Sequence, residues 1–233
     1  MDNKPTIETN VVKPSLVIFE GENEHRLIST QDELSLDLAS SEIEKFMDNN
    51  HGRGKSELEK DQLYTNAKEL WNKYAEILKE VKFTFYLNRK QYQFLTDLLI
   101  EKMEYDVNTV FLAIELTDML GEWKEVGTSK DDKTVQGYIT DATEITYIYH
   151  LIAKHKIKGL SHSAYRYTEV LKRIGAISKI IAYYDTLAKN MSTDIQKWVA
   201  SFEDGVSVEG KDWGKTPVEE IKQEASNKAT EEA

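Results

Sequence analysis

Apolar residues recur at helical spacing through most of this chain, and the polar positions between them carry the signals that start and stop helices. From Leu63 the series Leu70, Trp71, Tyr74, Ile77, Leu78 and Val81 keeps to one face of a 3.6-residue repeat. Ser56 and Glu59 stand before it in the S-x-x-E order of a capping box. The period then falls to two at Val81, Phe83, Phe85 and Leu87, which predicts either one short strand or a buried corner between helices. Asn88 with Gln91 offers a second box, followed by Tyr92, Leu95, Leu99 and Met103 on one face. Residues 107–123 are the most apolar helical stretch, with Val107, Val110, Phe111 and Ile114 on one side and Leu112, Leu116, Met119 and Trp123 nearly opposite. Two apolar sides predict a central helix.

Residues 125–137 read as a polar loop. Asp141 and Glu144 then cap a helix that turns Ile145, Ile148, Tyr149 and Ile152 inward. A long periodic stretch follows from Ser161 or Ser163 to about Phe202, with the stripe Tyr167, Val170, Leu171, Ile174, Ile177, Ile181, Tyr184 and Ala188. The polar run 190–194 leaves open whether it is one helix or two. No proline lies between Ser15 and Thr216. Long helices require this, since an interior proline costs about 3 kcal/mol.

The ends differ. Leu16–Phe19 and Arg26–Ile28 are short β-like pieces around the turn residues 20–24, predicting a small hairpin or a strand added to a partner. A short helix is expected over Ser41–Asp48 and a linker over Asn49–Lys55. Beyond Asp204 glycines and charges dominate, with too few apolar residues to fold alone. The expected fold is therefore mainly α: a bundle of five or six helices, with a short N-terminal β element and irregular acidic termini. The expected division is an N-terminal arm (1–55), a helical core (56–203) and a charged tail (204–233).

Charge sharpens this division. The 233 residues carry a net −11. Residues 1–50 contribute −7, 51–160 contribute −2, 161–202 contribute +3 and 203–233 contribute −5. The acidic balance weighs against general nucleic-acid affinity, which rests on phosphate contacts. The absence of cysteine excludes disulfides, thiolate metal sites and cysteine nucleophiles. The N-terminus lacks the apolar core of a signal peptide, and no apolar run reaches the roughly 18 residues of a membrane span. The expectation is a protein of the cytoplasm or of a virus particle, with no membrane association.

No catalytic, cofactor or metal motif stands in the sequence, and an enzyme is not expected. Gly52-x-Gly54-Lys55-Ser56 lacks the first glycine of a phosphate-binding loop. The stripe Glu115, Asp118 and Glu122 lacks the E-x-x-H pair of di-metal helices and reads as a solvated edge. His150, His155 and His162 match no ligand spacing. Lys154, Lys156, Lys158, His162 and Arg166 straddle a helix end, a glycine turn and a helix start, where a phosphate or a nucleic-acid backbone could be held. The plainer reading is a helix end trimmed with lysines for solubility.

Twelve tyrosines and four tryptophans, many on the late helices, suit interfaces as well as core edges. Leu16, Ile18, Phe19, Tyr183 and Trp213 are the candidate partner contacts. In texture, with polar arms carrying short apolar patches and tyrosine-rich late helices, the chain is similar to helical structural subunits of tailed-phage particles such as head–tail connector or ring proteins. That resemblance implies a non-enzymatic subunit in a homo-oligomer or hetero-assembly with other protein subunits, and it transfers no individual residue.

Overall fold

A computed structural model describes residues 12–102, 110, 111, 114, 118, 124–128, 134–153 and 162–202. Those residues are mostly helical, with a two-stranded antiparallel sheet near the N-terminus. The chain divides into two compact units. The first comprises residues 12–13, 30–81 and 182–202 of the described part; the second comprises 14–29 and the described residues between 82 and 181.

The first unit is built by three helical segments: α1 (Thr30–Asn49), α2 (Glu57–Glu80) and the second half of a long C-terminal helix. Helix α1 starts eleven residues before the expected Ser41. Its core positions Leu36, Ala39, Ile43 and Met47 follow the helical repeat, but serines and acids between them hide it. Asp32 and Glu33 in its first turn complement the helix dipole. The Ser56 box is formed in full: the Ser56 side chain accepts from the Glu59 amide, and the Glu59 carboxylate accepts from the Ser56 amide at 2.9 Å. Helix α2 buries Leu63, Ala67, Trp71, Tyr74, Ala75 and Leu78. Its polar tips meet main chain on the third segment: the Trp71 indole N–H donates to the Ala188 carbonyl (3.2 Å) and the Tyr74 hydroxyl to the Tyr184 carbonyl (3.2 Å). Trp198 closes the far end, donating to the Asn50 carbonyl at 2.9 Å and packing edge-on against Phe46 and Phe202.

The second unit contains a hairpin near the expected place, β1 (Val17–Glu20) with β2 (Asn23–Arg26), turning at Gly21 with φ +65°; its second strand begins three residues before the expected Arg26–Ile28, because the turn is tighter than the residues 20–24 allotted to it. Glycine takes that backbone without the Cβ penalty. Strand β3 (Phe83–Asn88) settles the period-two stretch as a strand, with Phe83, Phe85 and Leu87 buried and Thr84, Tyr86 and Asn88 half-buried. The expected loop 125–137 is corrected. It contributes β4 (Lys124–Thr128) and the start of β5 (Thr134–Thr140), which pair antiparallel, with a bulge between Glu125 and Gly127. The strand order is β3-β5-β4, and the Thr84 amide donates to the Leu27 carbonyl, which fastens the hairpin to the free edge of β3. The loop reading weighed charge and glycine. Pairing with β3 makes β5 the central strand, and β5 in turn supplies the hydrogen bonds that make an edge strand of β4.

Helix α3 (Arg89–Asp97) starts on the Asn88–Gln91 box and passes into a single π-helical turn, Leu98–Lys102. Met103 and most of 107–123 lie outside the described residues. Phe111 and Ile114 are helical but exposed, at 51% and 52%, so the face expected to be buried is open at these two positions. Helix α4 (Ala142–Ala153) is capped as expected, Asp141 Oδ1 accepting from the Glu144 amide at 2.9 Å. It buries Ile145, Ile148 and Ile152 but leaves Tyr149 exposed, which corrects the inward placement of that tyrosine.

Helix α5 is one helix, His162–Ala200. The polar run 190–194 does not break it, because Met191, Ile195 and Trp198 continue the buried stripe and the Thr193 hydroxyl donates back to the Lys189 carbonyl. Among the described residues, no helix is long and apolar enough to cross a membrane.

Candidate functional site

Two polar features stand on the first unit. One is a groove between α1 and α2. The helices run antiparallel, and the exposed Lys73 and Glu42 side chains pair across them at 2.8 Å. Further along, the open groove of about 540 Å³ is lined by Phe46 and Leu70 together with Asn49, Asn50, Asn66, Lys45 and Glu69. The Asn50 side chain donates to the Phe46 carbonyl (2.8 Å), and Asn66 Oδ1 accepts from Gln62 (2.8 Å). An amide side chain carries both donor and acceptor, as a peptide group does. The groove ends where Trp198 is bonded to Asn50 and the Phe202 ring fills the space a Cβ on Gly52 would need.

The other feature is a polar cluster at the beginning of α1. Lys13 Nζ donates to Glu33 (2.7 Å) and lies 3.7 Å from Asp37. Burial acts to lower the Lys13 pKa, but the Glu33 hydrogen bond and the charges of Tyr184, Asp37 and Glu33 outweigh it and raise it. Behind it sits Tyr184, 1% exposed, whose hydroxyl has no hydrogen-bond partner among the described residues. Burial is the main cause that pushes the Tyr184 pKa up to about 12; Lys13 pulls it down, while Asp37, Glu33 and Tyr183 push it up. Tyr74 is also raised, first by burial and then by its acidic and phenolic neighbours. Asp185 is buried, pairs with Lys189 through Oδ2 at 3.2 Å, and leaves Oδ1 without a hydrogen-bond partner among the described residues. Among those residues, no group of three His, Asp or Glu side chains is placed to hold a metal ion.

The residues singled out from sequence fall elsewhere. Lys154, Lys156, Lys158 and Trp213 lie outside the described residues, as do Glu115 and Glu122 of the acidic stripe; Asp118 is exposed. His162 is the first residue of α5, with its side chain outside the described part, and Arg166 is exposed one turn later. Of the partner contacts, Phe19 is 66% exposed on β1, while Leu16, Ile18 and Tyr183 are half-buried. Tyr183 packs edge-on against Tyr184.

From the sequence, Leu70 is a core position and Asn49 and Asn50 are linker, and no groove residue carries a functional expectation. The signal that could have found them is the i, i+3, i+7, i+11 series Leu36, Ala39, Ile43 and Met47, which fixes α1 and therefore which of its side chains flank α2. Compared with known proteins, the chain matches no family model, no curated protein and no solved structure.

Proposed function

We propose that the chain is a non-enzymatic structural subunit of a larger protein assembly, of the kind represented by head–tail connector or ring proteins of tailed-phage particles, its helices packed as a bundle. The observation that carries this reading is an apolar pair on α1. Leu34 and Leu38 stand on successive turns, 48% and 60% exposed, on the side opposite the buried Leu36, Ala39 and Ile43. Their place on a regular helix, four residues apart, gives a partner helix two adjacent anchors. Phe19 on the hairpin is a second anchor of the same kind. Other copies of this chain, or other protein subunits, are the partners that such anchors fit.

The test is the mass of the native complex. A closed oligomer or a complex of fixed stoichiometry is the expected result, and Leu34→Asp with Leu38→Asp should shift it towards monomer while the helical circular dichroism stays. A monodisperse monomer that remains alone when mixed with its neighbouring gene products overturns the reading.

A further inference from the structure

We infer that copies of this chain join head to tail, the exposed face of α1 on one copy lying parallel against the exposed face of α5 on the next. The inference rests on the assembly reading and names its partner, a second copy of this chain.

The first observation is charge. Among the described residues of α5, every exposed charged side chain is basic: Arg166, Lys172, Lys179, Lys189 and Lys197. Its acids Glu169, Asp185 and Asp194 are buried or half-buried. On α1 the exposed charges are Asp37, Glu42, Glu44 and Asp48 against Lys45 alone. Complementary charge draws unlike faces together and keeps like faces apart, so α1 suits α5 and not another α1.

The second is spacing, in the part of α5 that belongs to the first unit. Leu34 and Leu38 stand four residues apart on α1, and Ala182 and Thr186 stand four apart on α5. Ala182 is exposed, and the Thr186 hydroxyl is turned back to the Ala182 carbonyl (2.7 Å), which leaves its methyl for contact. Setting the leucines on these two small residues with the helices parallel brings Glu42 level with Lys189, and Asp48 level with Lys197, to within about 1.5 Å along the axis. Lys45 then meets Thr193, with no like charge opposite it. Turned antiparallel, Glu42 meets Ser178 and Lys197 passes beyond the start of α1.

The third is side. At about 100° per residue, Glu42 and Asp48 lie about 60° to either side of the leucine line, and Lys189 and Lys197 about 40° to either side of the line through Ala182 and Thr186. When the faces meet in parallel, Lys189 falls on the side of Glu42 and Lys197 on the side of Asp48. Lys189 already pairs with Asp185, Lys197 with Asp194 and Glu42 with Lys73. An ammonium with three donors and a carboxylate with two oxygens each take a further partner. Because the two faces differ, every added copy leaves one of each open, and the contact closes a ring or grows a filament.

The test mixes two variants of the full-length chain. One breaks the α1 face, Leu34→Asp with Leu38→Asp; the other breaks the α5 face, Ala182→Glu with Lys197→Glu. Each alone should be monomeric by native mass. An equimolar mixture should form one-to-one dimers and stop there, since such a dimer ends in two broken faces. It should do so at concentrations at least about tenfold below those at which either variant alone associates. Ala182→Gln with Lys197→Gln serves if the acidic pair loses helical circular dichroism. An α5 variant that assembles as the unaltered chain does, or a mixture that stays monomeric, overturns the inference and leaves the assembly reading standing. An unaltered chain that is monomeric alone but joins its neighbouring gene products does the same. One that is monomeric in both settings overturns both.

Discussion

The two units satisfy their polar groups in different proportions. In the first, aromatic side chains reach across helices to main-chain carbonyls, as Trp71 does to Ala188, Tyr74 to Tyr184 and Trp198 to Asn50. In the second, one such bridge exists, from the Tyr167 hydroxyl to the Ile152 carbonyl (2.7 Å), and main chain meets main chain in the β3-β5-β4 ladder and in the seam between Leu27 and Thr84. A side-chain bridge is lost with one substitution; a backbone ladder is not. The first unit is therefore specified by a few large residues, and the second by pairing that many sequences could support.

The comparison is broken or sharpened most strongly by truncating one aromatic in each unit. Trp71→Ala and Phe85→Ala should each cost about 3–5 kcal/mol in denaturant unfolding, since both side chains are buried. Trp71→Ala should lie at the upper end, because it also leaves the Ala188 carbonyl without its indole donor. If Phe85→Ala proves the costlier, the contrast fails. Gly52→Ala comes next, at about 1–3 kcal/mol, because the new Cβ overlaps the Phe202 ring; the fall in melting temperature measures it.

Alkaline pH should act on the first unit through Tyr184. Its folded pKa of about 12 lies above the value of about 10 for an unfolded tyrosine. The folded state therefore holds this proton more tightly. The resulting stability is fully present below about pH 10 and is lost as pH rises through about 12, with a size of roughly 1–2 kcal/mol. Unfolding free energies across this window should fall less steeply in Tyr184→Phe, and tyrosinate absorbance should show one fewer late-titrating group.

Tyr74→Phe removes only the bridge to the Tyr184 carbonyl and should cost about 0.5–1.5 kcal/mol by chemical denaturation. The smallest effect is a control. Ser56→Ala and Asn88→Ala each delete a complete capping box, one in each unit, and should cost a similar amount of about 1 kcal/mol. Unequal costs would mean that local helix ends also differ between the units.

Local signals were legible in the sequence. The boxes at Ser56, Asn88 and Asp141 form as read, the hairpin lies within the predicted residues, and the stripe from Val170 to Ala188 is buried but for the half-buried Leu171. Each depends on residues within a few positions of one another. The sequence alone thus determined a mostly helical chain, the starts of α2, α3 and α4 and most of the faces that α2 and α5 bury, but not the start of α1 or the exposure of Tyr149.

Tertiary structure decided the rest. The segment 134–140 is a strand because β3, some fifty residues earlier, pairs with it. Helix α5 stays whole through 190–194 because its stripe continues into buried positions. The groove exists because α1 lies antiparallel to α2, joining Glu42 to Lys73 across 31 positions. Spacing along a chain encodes contacts within a turn of helix or a step of strand. It does not encode which distant segment supplies the other half of a hydrogen-bond ladder or the other wall of a groove.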